Sequence, residues 1–150
     1  MDGHPEGVGT DIESVDRFRA LDRVTHQRFF ERVYTNAEIA YCFAKIDPAP
    51  HLAARWCAKE AVVKALSSIG IERIAYCDIA VTSGSDGVPR VHVSDIDPSV
   101  RVHVSLSHSR DNATAFAIAY YDEREEATAH RAARELHRET HRGCARSRVS

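Results

Sequence analysis

Glu60 and Lys64 are the first side chains in this sequence whose types and spacing could support chemistry. They stand four residues apart within residues 51–68, an Ala-rich segment without Gly or Pro that is therefore predicted to be helical. On an exposed helix such a pair could simply be an ion pair worth about 0.2–0.5 kcal/mol. Alternatively, Glu60 could bind a hard cation and Lys64 could bind an anion such as a phosphate. The helix alone leaves both interpretations open.

Asp11 could supply a second carboxylate to the same site. It lies in the run Gly-Thr-Asp-Ile at 9–12, where a predicted strand over residues 8–12 gives way to a predicted helix over 13–21. A lone Asp at such a junction is usually a helix N-cap. A magnesium site, however, typically takes only one or two protein carboxylates and completes its shell with water and phosphate oxygens. Asp11 and Glu60 could therefore be the whole protein contribution to such a site.

A run of hydroxyl and imidazole groups follows the predicted strand that begins at residue 100. The sequence Ser-Leu-Ser-His-Ser occupies 105–109, and Arg110 comes next. A His in this position is usually a turn residue. Hydroxyl and imidazole groups can nevertheless donate hydrogen bonds to phosphate oxygens, so Ser107 and His108 are candidates for holding a phosphate group.

The long helix must position the first pair of charges. Residues placed 100° apart give apolar side chains at almost every angle, so we expect most of this helix to be packed. Arg55 and Lys59 lie on one edge of it, and Glu60 and Lys64 lie on another. The helix is predicted to end at Gly70.

The other elements predict a mixed α and β domain. Thr35 and Glu38 fit a capping box for a helix that runs to about Lys45. Residues 77–82 and 88–93 resemble a hairpin, and residues 100–106 alternate as a strand with one buried face. Residues 114–121 complete the predicted set of strands.

Composition excludes several classes of protein. A chain of 150 residues with 43% hydrophobic and 28% charged residues is typical of one soluble domain. A net charge of −2 argues against a surface built to bind nucleic acid. No secretory signal or long apolar run is visible, so we expect no membrane segment and a cytoplasmic location.

The cysteines and the C-terminal residues complete this picture. Cys42, Cys57, Cys77 and Cys144 form no C-x-x-C pair, and we expect buried free thiols in preference to zinc ligands or disulfides. From residue 122 onward, charged side chains dominate and large apolar ones are scarce. We therefore predict a domain over 1–121 and a tail over 122–150 that is helical or disordered.

Three motifs together resemble the phosphopantetheinyl transferase superfamily, and more narrowly the holo-(acyl carrier protein) synthase family. They are Gly-Thr-Asp-Ile at 9–12, Arg-Trp-x-x-Lys-Glu-Ala-x-x-Lys at 55–64 and Ser-Leu-Ser-His at 105–108. The resemblance covers roughly residues 8–120. It implies an α+β fold with an antiparallel sheet packed against a long central helix. It also implies a homotrimer with active sites at the subunit interfaces.

The resemblance implies a reaction as well. An enzyme of this family transfers the 4′-phosphopantetheine group of coenzyme A to a serine of an apo acyl carrier protein, leaving adenosine 3′,5′-bisphosphate. Asp11 and Glu60 match the ligands of its Mg²⁺ ion, and Lys64 matches the lysine that meets the phosphates. Glu60 or a water on the metal ion would accept the serine proton.

The same resemblance assigns the two substrates. His108, with Ser107 and Arg55, matches positions around the 3′-phosphate end of coenzyme A. Arg17, and more weakly Arg28, match arginines that contact the acidic carrier protein, which could come from fatty-acid, polyketide or peptide synthesis.

Two other functions remain open from the sequence. One is a non-catalytic module that binds carrier proteins with the same fold. The other is a different Mg²⁺-dependent phosphate enzyme. The chain departs from the family in its polar residues 1–6 and in having one glycine, not two, over residues 67–71.

Overall fold

The computed structural model describes residues 6–84 and 86–122. Its helices and strands follow one another in the order of the chain. They are β1 (Gly7–Ser14), α1 (Val15–Arg19), α2 (Gln27–Val33), α3 (Asn36–Phe43), α4 (Ala49–Ser68), a short 3₁₀ helix (Tyr76–Asp78), β2 (Ile79–Ser83), β3 (Pro89–Val93), β4 (Val100–His108) and β5 (Asn112–Tyr121).

Three strands form the main sheet, in the order β1-β5-β4, and both pairs are antiparallel. The strands β2 and β3 form a separate antiparallel hairpin. This arrangement, with α4 packed on the main sheet, confirms the predicted α+β fold with an antiparallel sheet against a long helix.

The face of the main sheet that meets α4 is made of small residues. Gly7 and Gly9 of β1 are buried there, beside four buried alanines of β5 at positions 113, 115, 117 and 119. A Cβ atom added to Gly9 would lie 1.9 Å from the carbonyl oxygen of Ala61 on α4. The backbone of β1 therefore contacts the backbone of α4 directly, because no side chain stands between them.

The long helix α4 is buried around most of its circumference, as its sequence predicts. It begins at Ala49, two residues before the predicted start, because Pro50 is accommodated in the first turn, where a helix tolerates proline. Gly70 follows the helix with φ +84, a conformation that glycine adopts readily. The predicted end of the helix is thus confirmed.

The predicted capping box is also confirmed. The Thr35 hydroxyl accepts a hydrogen bond from the backbone N–H of Glu38, and the Glu38 carboxylate accepts one from the backbone N–H of Thr35. The predicted hairpin is present as well, although β2 begins at Ile79, because the residues just before it form the 3₁₀ helix.

The predicted start of the first helix was wrong. Strand β1 continues to Ser14, where a helix from residue 13 was expected, because its last residues remain paired with β5 down to Asn112. Helix α1 begins only at Val15, with Ser14 as N-cap. Asp11 is therefore a strand residue and does not cap the helix.

The cysteine prediction holds for Cys42 and Cys57, which are free and buried. Cys77 is free but exposed, because it lies in the 3₁₀ helix at the surface, so its predicted burial was wrong. Cys144 and residues 123–150 of the predicted tail lie outside the described residues. Within residues 6–84 and 86–122, no helix is long and apolar enough to cross a membrane.

Candidate active site

Asp11 lies on the face of β1 that meets α4. It shares this face with Gly7 and Gly9, since alternate residues of a strand point to the same side. The buried thiol of Cys57 on α4 is a neighbour, and burial followed by the charge of Asp11 raises the pKa of Cys57 to about 12. Cys57 therefore remains a neutral thiol and is no candidate nucleophile.

Lys64 of α4 pairs with Asp11 across the contact between helix and sheet. Its Nζ lies 2.9 Å from Asp11 Oδ1 and also donates to the Thr10 carbonyl oxygen at 2.9 Å. The hydrogen bond to Asp11 is the main reason that the pKa of Lys64 is raised. The ion pair that the structure shows for Lys64 thus joins it to Asp11, whereas the simple helical interpretation had paired it with Glu60.

Glu60 accepts a hydrogen bond from Tyr76, which stands in the 3₁₀ helix. The Tyr76 hydroxyl lies 2.8 Å from Glu60 Oε1. Burial, then the hydrogen bond to Glu60 and the charges of Glu60 and Asp11, raise the pKa of Tyr76 to about 12, so its phenol stays protonated at neutral pH. The charges of both Asp11 and Glu60 raise the pKa of Lys64, so both carboxylates lie near this ammonium group.

Lys59 belongs to the core. It is fully buried, and its Nζ lies 2.9 Å from the Oε2 atom of the equally buried Glu38. It also donates to the carbonyl oxygens of Tyr76 and Ile79. Burial lowers the pKa of Lys59, and the charge of Glu38 opposes that shift. Lys59 and Glu60 are thus adjacent in sequence, but Lys59 belongs to the core and Glu60 to the candidate site.

Arg55 is a buried cation at the other end of α4. Only 4% of its surface is exposed, its Nε has no hydrogen-bond partner, and its guanidinium lies 4.1 Å from the centre of the Tyr41 ring. Its Nη1 reaches the carbonyl oxygen of His51 at 3.4 Å. Within the described residues no carboxylate pairs with it. A buried guanidinium without an anion is costly and suits a site that receives one.

His108 lies close to Arg55 through His51. The His108 and His51 rings are 5.6 Å apart, and burial, followed by His108 and Arg55, lowers the pKa of His51. Lys45 adds to this effect, and its ammonium stands 4.3 Å from the Tyr41 ring centre. We call His51, His108, Arg55 and Lys45 the basic cluster. Sequence reasoning missed Lys45 and His51, although the clustering of the three lysines within residues 45–64 was a signal.

Ser107 does not join the basic cluster. It alternates with His108 along β4, so the two side chains point to opposite faces of the sheet. Ser107 lies on the outer face beside Thr114, its partner on β5, and lines a small depression there with Thr10 and Ser105. The structure therefore brings His108 and Arg55 together and leaves Ser107 on the other side.

The candidate carrier-binding arginines lie on the short helices α1 and α2. Arg17 is half exposed, forms an ion pair with Glu13 and places its guanidinium 5.0 Å from the centre of the Trp56 ring. Arg28 is exposed on α2, next to Phe29, whose ring stacks on Trp56 at 5.7 Å. Both helices thus converge on Trp56, one turn of α4 before Glu60.

The sheet register relates the two ends of the site. Asp11 stands opposite Ala115 and His108 opposite Ala113, on the two strands that flank β5. Both side chains lie on the face that meets α4. Two inter-strand spacings separate their strands, about 10 Å. Asp11 and His108 of the basic cluster therefore lie near the same end of the main sheet, an arrangement suited to a substrate with several phosphates.

Comparison with known proteins defines the class. Residues 7–121 match the model of the 4′-phosphopantetheinyl transferase superfamily, and the chain belongs to that superfamily. Within it, the chain is similar to proteins named holo-(acyl-carrier-protein) synthase. The one from Thermodesulfovibrio yellowstonii is 37% identical over 113 residues, which cover 75% of this chain and 96% of that protein. The one from Chlorobaculum parvum is 40% identical over 111 residues, or 74% and 95% of the two chains.

Solved structures agree with this placement. The holo-(acyl-carrier-protein) synthase of Bacillus anthracis, determined in complex with coenzyme A (3′,5′-ADP), superimposes with a TM-score of 0.62 at 25% identity, over 77% of this chain and 96% of that one. The acyl carrier protein synthase of Mycobacterium tuberculosis gives a TM-score of 0.58 at 34% identity, over 77% and 96%. The family that the three motifs predict is confirmed.

Proposed function

We propose that this chain transfers the 4′-phosphopantetheine group of coenzyme A to a serine of an apo acyl carrier protein, giving holo carrier and adenosine 3′,5′-bisphosphate. The observation that carries this proposal is the meeting of Asp11, Glu60 and Lys64 between β1 and α4 in a chain of this superfamily. The intact carboxylates and lysine argue against the alternative of a non-catalytic module that only binds carrier proteins.

Asp11 and Glu60 fit a magnesium ion by their chemistry. Both offer hard carboxylate oxygens beside the same ammonium group, and one or two carboxylates are what such a site usually takes from a protein. We assign only these two carboxylates to the ion; within residues 6–84 and 86–122, no group of three or more His, Cys, Asp or Glu side chains gathers as a metal site. When bound, Mg²⁺ would neutralise charge on the pyrophosphate of coenzyme A.

Lys64 would bind the same phosphates from the protein side. Its raised pKa keeps it cationic, and its partner Asp11 holds it at the rim of the helix. In the transfer, the serine oxygen forms a bond to the phosphorus that carries the pantetheine arm, and the bond from that phosphorus to the bridging oxygen breaks. Lys64 would stabilise the negative charge that develops on the departing nucleotide. We propose Glu60 as the acceptor of the serine proton.

The basic cluster would hold the far end of coenzyme A. The buried Arg55, whose Nε has no hydrogen-bond partner, and the neighbouring His108 provide donors for the 3′-phosphate, and Lys45 adds positive charge. Ser107 faces the opposite side of the sheet. A coenzyme A molecule that contacts Ser107 would therefore approach from the outer face of the sheet. In an assembly, such a molecule would be bound in the site of a neighbouring subunit.

The carrier protein would dock on α1 and α2. Arg17 and Arg28 present positive charge near Trp56, and the carrier's acidic helix would bring its serine to the adjacent carboxylates. The carrier could belong to fatty-acid, polyketide or peptide synthesis, and we expect the reaction to take place in the cytoplasm.

The outer face of the main sheet supports assembly into a homotrimer. It exposes Val8 and Ile12 of β1 together with Phe116 and Ile118 of β5. Val8 and Ile118 stand directly opposite each other, so these side chains form one apolar patch. Exposed apolar patches of this kind usually mark interfaces between proteins. We propose that this outer sheet face, defined by these four residues, is the subunit interface.

A direct assay tests the proposed reaction. Purified protein is mixed with coenzyme A, Mg²⁺ and apo carriers of fatty-acid, polyketide and peptide synthase type, and each carrier is weighed by mass spectrometry. The expected result is the mass gain of one phosphopantetheine arm on at least one carrier, which is lost when Mg²⁺ is chelated. A carrier that binds but gains no mass would favour the non-catalytic module, and coenzyme A cleaved without any carrier would indicate a different phosphate enzyme.

A further inference from the structure

The Tyr76 side chain makes a contact whose role the transfer chemistry does not itself define. Its hydroxyl donates to Glu60 Oε1 at 2.8 Å, from a 3₁₀ helix sixteen residues further along the chain. Among the described residues, this is the hydrogen bond that Glu60 receives. Asp11, in contrast, is fixed by the ammonium of Lys64. The two carboxylates of the site are thus held by different means.

Tyr76 is itself held from two directions. Its ring packs against the Trp56 ring with centroids 5.3 Å apart, and its carbonyl oxygen accepts a hydrogen bond from Lys59 Nζ at 2.8 Å. Lys59 is in turn fixed by the buried carboxylate of Glu38 at 2.9 Å. The phenol is therefore presented to Glu60 from a rigid support.

The support reaches further into the core through Glu38. The Oε1 atom of Glu38 accepts the backbone N–H of Val81 at 2.9 Å, and its Oε2 accepts that of Thr35 at 2.8 Å. A fully buried charge pair is costly to maintain unless its remaining hydrogen-bonding capacity is satisfied, as it is here. The buried network thus anchors the segment that carries Tyr76 to α3, α4 and β2 together.

A free glutamate side chain has three rotatable bonds and would sample many positions. A donor on one oxygen restricts these positions and turns the other oxygen in a fixed direction. Mutation of groups that orient the ligands of a metal ion in this way commonly lowers metal affinity or activity by about tenfold to a hundredfold.

From this geometry we infer that Tyr76 is a positioning residue, which orients the Glu60 carboxylate for the metal ion and the phosphates through its phenol hydroxyl. The inference rests on the proposed function, because it takes Glu60 to be a ligand of that ion. The inference separates two parts of the side chain. The hydroxyl affects the affinity for the divalent cation, whereas the Tyr76 ring contributes packing.

Tyr76→Phe tests this, because it removes the hydroxyl and keeps the ring. Tyr34→Phe is the matched control, since the Tyr34 hydroxyl also donates to α4, but to the Leu52 carbonyl oxygen 3.0 Å away and not to a carboxylate. Two quantities are measured: the binding of Mn²⁺ to the protein, from the loss of its free electron paramagnetic resonance signal, and the Mg²⁺ concentration that gives half the maximal transfer rate.

For Tyr76→Phe we expect Mn²⁺ affinity to fall roughly tenfold and the half-saturating Mg²⁺ concentration to rise to match. Tyr34→Phe should lower the melting temperature and leave both metal measurements unchanged. If Tyr76→Phe has wild-type Mn²⁺ affinity and a wild-type half-saturating Mg²⁺ concentration while Glu60→Gln binds Mn²⁺ more weakly, the positioning role alone is overturned. If Glu60→Gln itself binds Mn²⁺ like the wild type, the assignment of Glu60 to the metal fails, and the inference falls with it.

Discussion

At the scale of single residues, Lys64 pairs with Asp11 in the structure and is our candidate for contacting the phosphates of the substrate. Its ammonium pairs with Asp11, and Glu60 is a second nearby negative charge. Two like charges close together raise the free energy of the folded state, and a cation beside them offsets this cost. A substrate pyrophosphate with its metal ion would take over the carboxylates and leave Lys64 free to contact phosphate oxygens. On the proposed function, binding of the metal ion and the pyrophosphate would therefore rearrange this ion pair.

Removal of either carboxylate should stop the reaction and spare the fold. For Asp11→Ala and Glu60→Ala we expect transfer rates to fall by more than about 100-fold, because the group that stabilises charge in the transition state can no longer be held. Neither side chain fills core volume, so circular dichroism spectra should match the wild type. Asp86→Ala, an exposed carboxylate in the hairpin loop, is the control and should retain full activity. Normal transfer by either site variant would refute the metal assignment.

His108→Ala should act on coenzyme A binding and not on the chemical step. Its proposed contact is remote from the reacting phosphorus and is the same in ground and transition states, so we expect KM for coenzyme A to rise about tenfold at nearly constant kcat. Dephospho-coenzyme A, which lacks the 3′-phosphate, is the control substrate. The variant and the wild type should have equal KM values for it. A fall in kcat alone would contradict this role.

The sequence was sufficient to single out Asp11, Glu60, Lys64 and His108 as candidates, because each belongs to a short motif with recognisable spacing. It was insufficient for Tyr76. Its partner lies sixteen residues away, and the pairing depends on how the 3₁₀ helix returns to α4, which no local pattern records.

At the scale of elements, the contact between β1 and α4 sets the positions of the two carboxylates. Asp11 follows Gly9 by two residues on the same face, and Glu60 precedes Ala61, whose carbonyl oxygen meets Gly9. The distance from strand to helix at Gly9 therefore controls the separation of Asp11 and Glu60. A glycine is required there because there is no space for a side chain.

Gly9→Ala should for this reason both destabilise the protein and impair transfer. The added methyl group would meet backbone atoms, which cannot move as a flexible side chain can, so we expect the free energy of unfolding to fall by at least about 2 kcal/mol. Urea unfolding measures this loss. Glu6→Ala, exposed just before β1, is the control and should change stability by less than about 0.5 kcal/mol. Wild-type stability of Gly9→Ala would mean that β1 and α4 are further apart than described.

Periodicity predicted α4, the hairpin and the last two strands because their patterns are long or strongly alternating. It failed at the end of β1. There, residues 13 and 14 could belong to a strand or to the first turn of a helix, and pairing with β5 decides between the two. Local sequence does not encode the length of a partner strand that lies a hundred residues away.

At the scale of the whole molecule, the outer sheet face is the surface through which we expect the chain to self-associate. Within residues 6–84 and 86–122, the sheet presents small residues toward α4 and large apolar residues toward the outside, where they are exposed. Such a surface favours association, in keeping with the homotrimer that we propose. The opposite orientation of Ser107 and His108 would then allow His108 to contribute to this subunit's site and Ser107 to the site of a neighbouring subunit.

Ile118→Asp should break this assembly. A buried charge without a partner is strongly unfavourable, so we expect the variant to be a monomer while the wild type has about three times the mass of one chain. Light scattering after size-exclusion chromatography measures the mass. Ile46→Asp, at a more fully exposed apolar position between α3 and α4, is the control and should assemble like the wild type. A monomeric wild type would refute the proposed interface.

Trp56 gives the protein a built-in optical reporter. It is the single tryptophan of the chain, and its indole contacts the Arg17 guanidinium, the Phe29 ring and the Tyr76 ring. A carrier that draws Arg17 away would change the emission of this one fluorophore, and so would a rearrangement of Tyr76 if Glu60 bound a metal ion. Stopped-flow fluorescence of the unlabelled protein can therefore time carrier docking and cation binding separately, with no chemistry added to the surface.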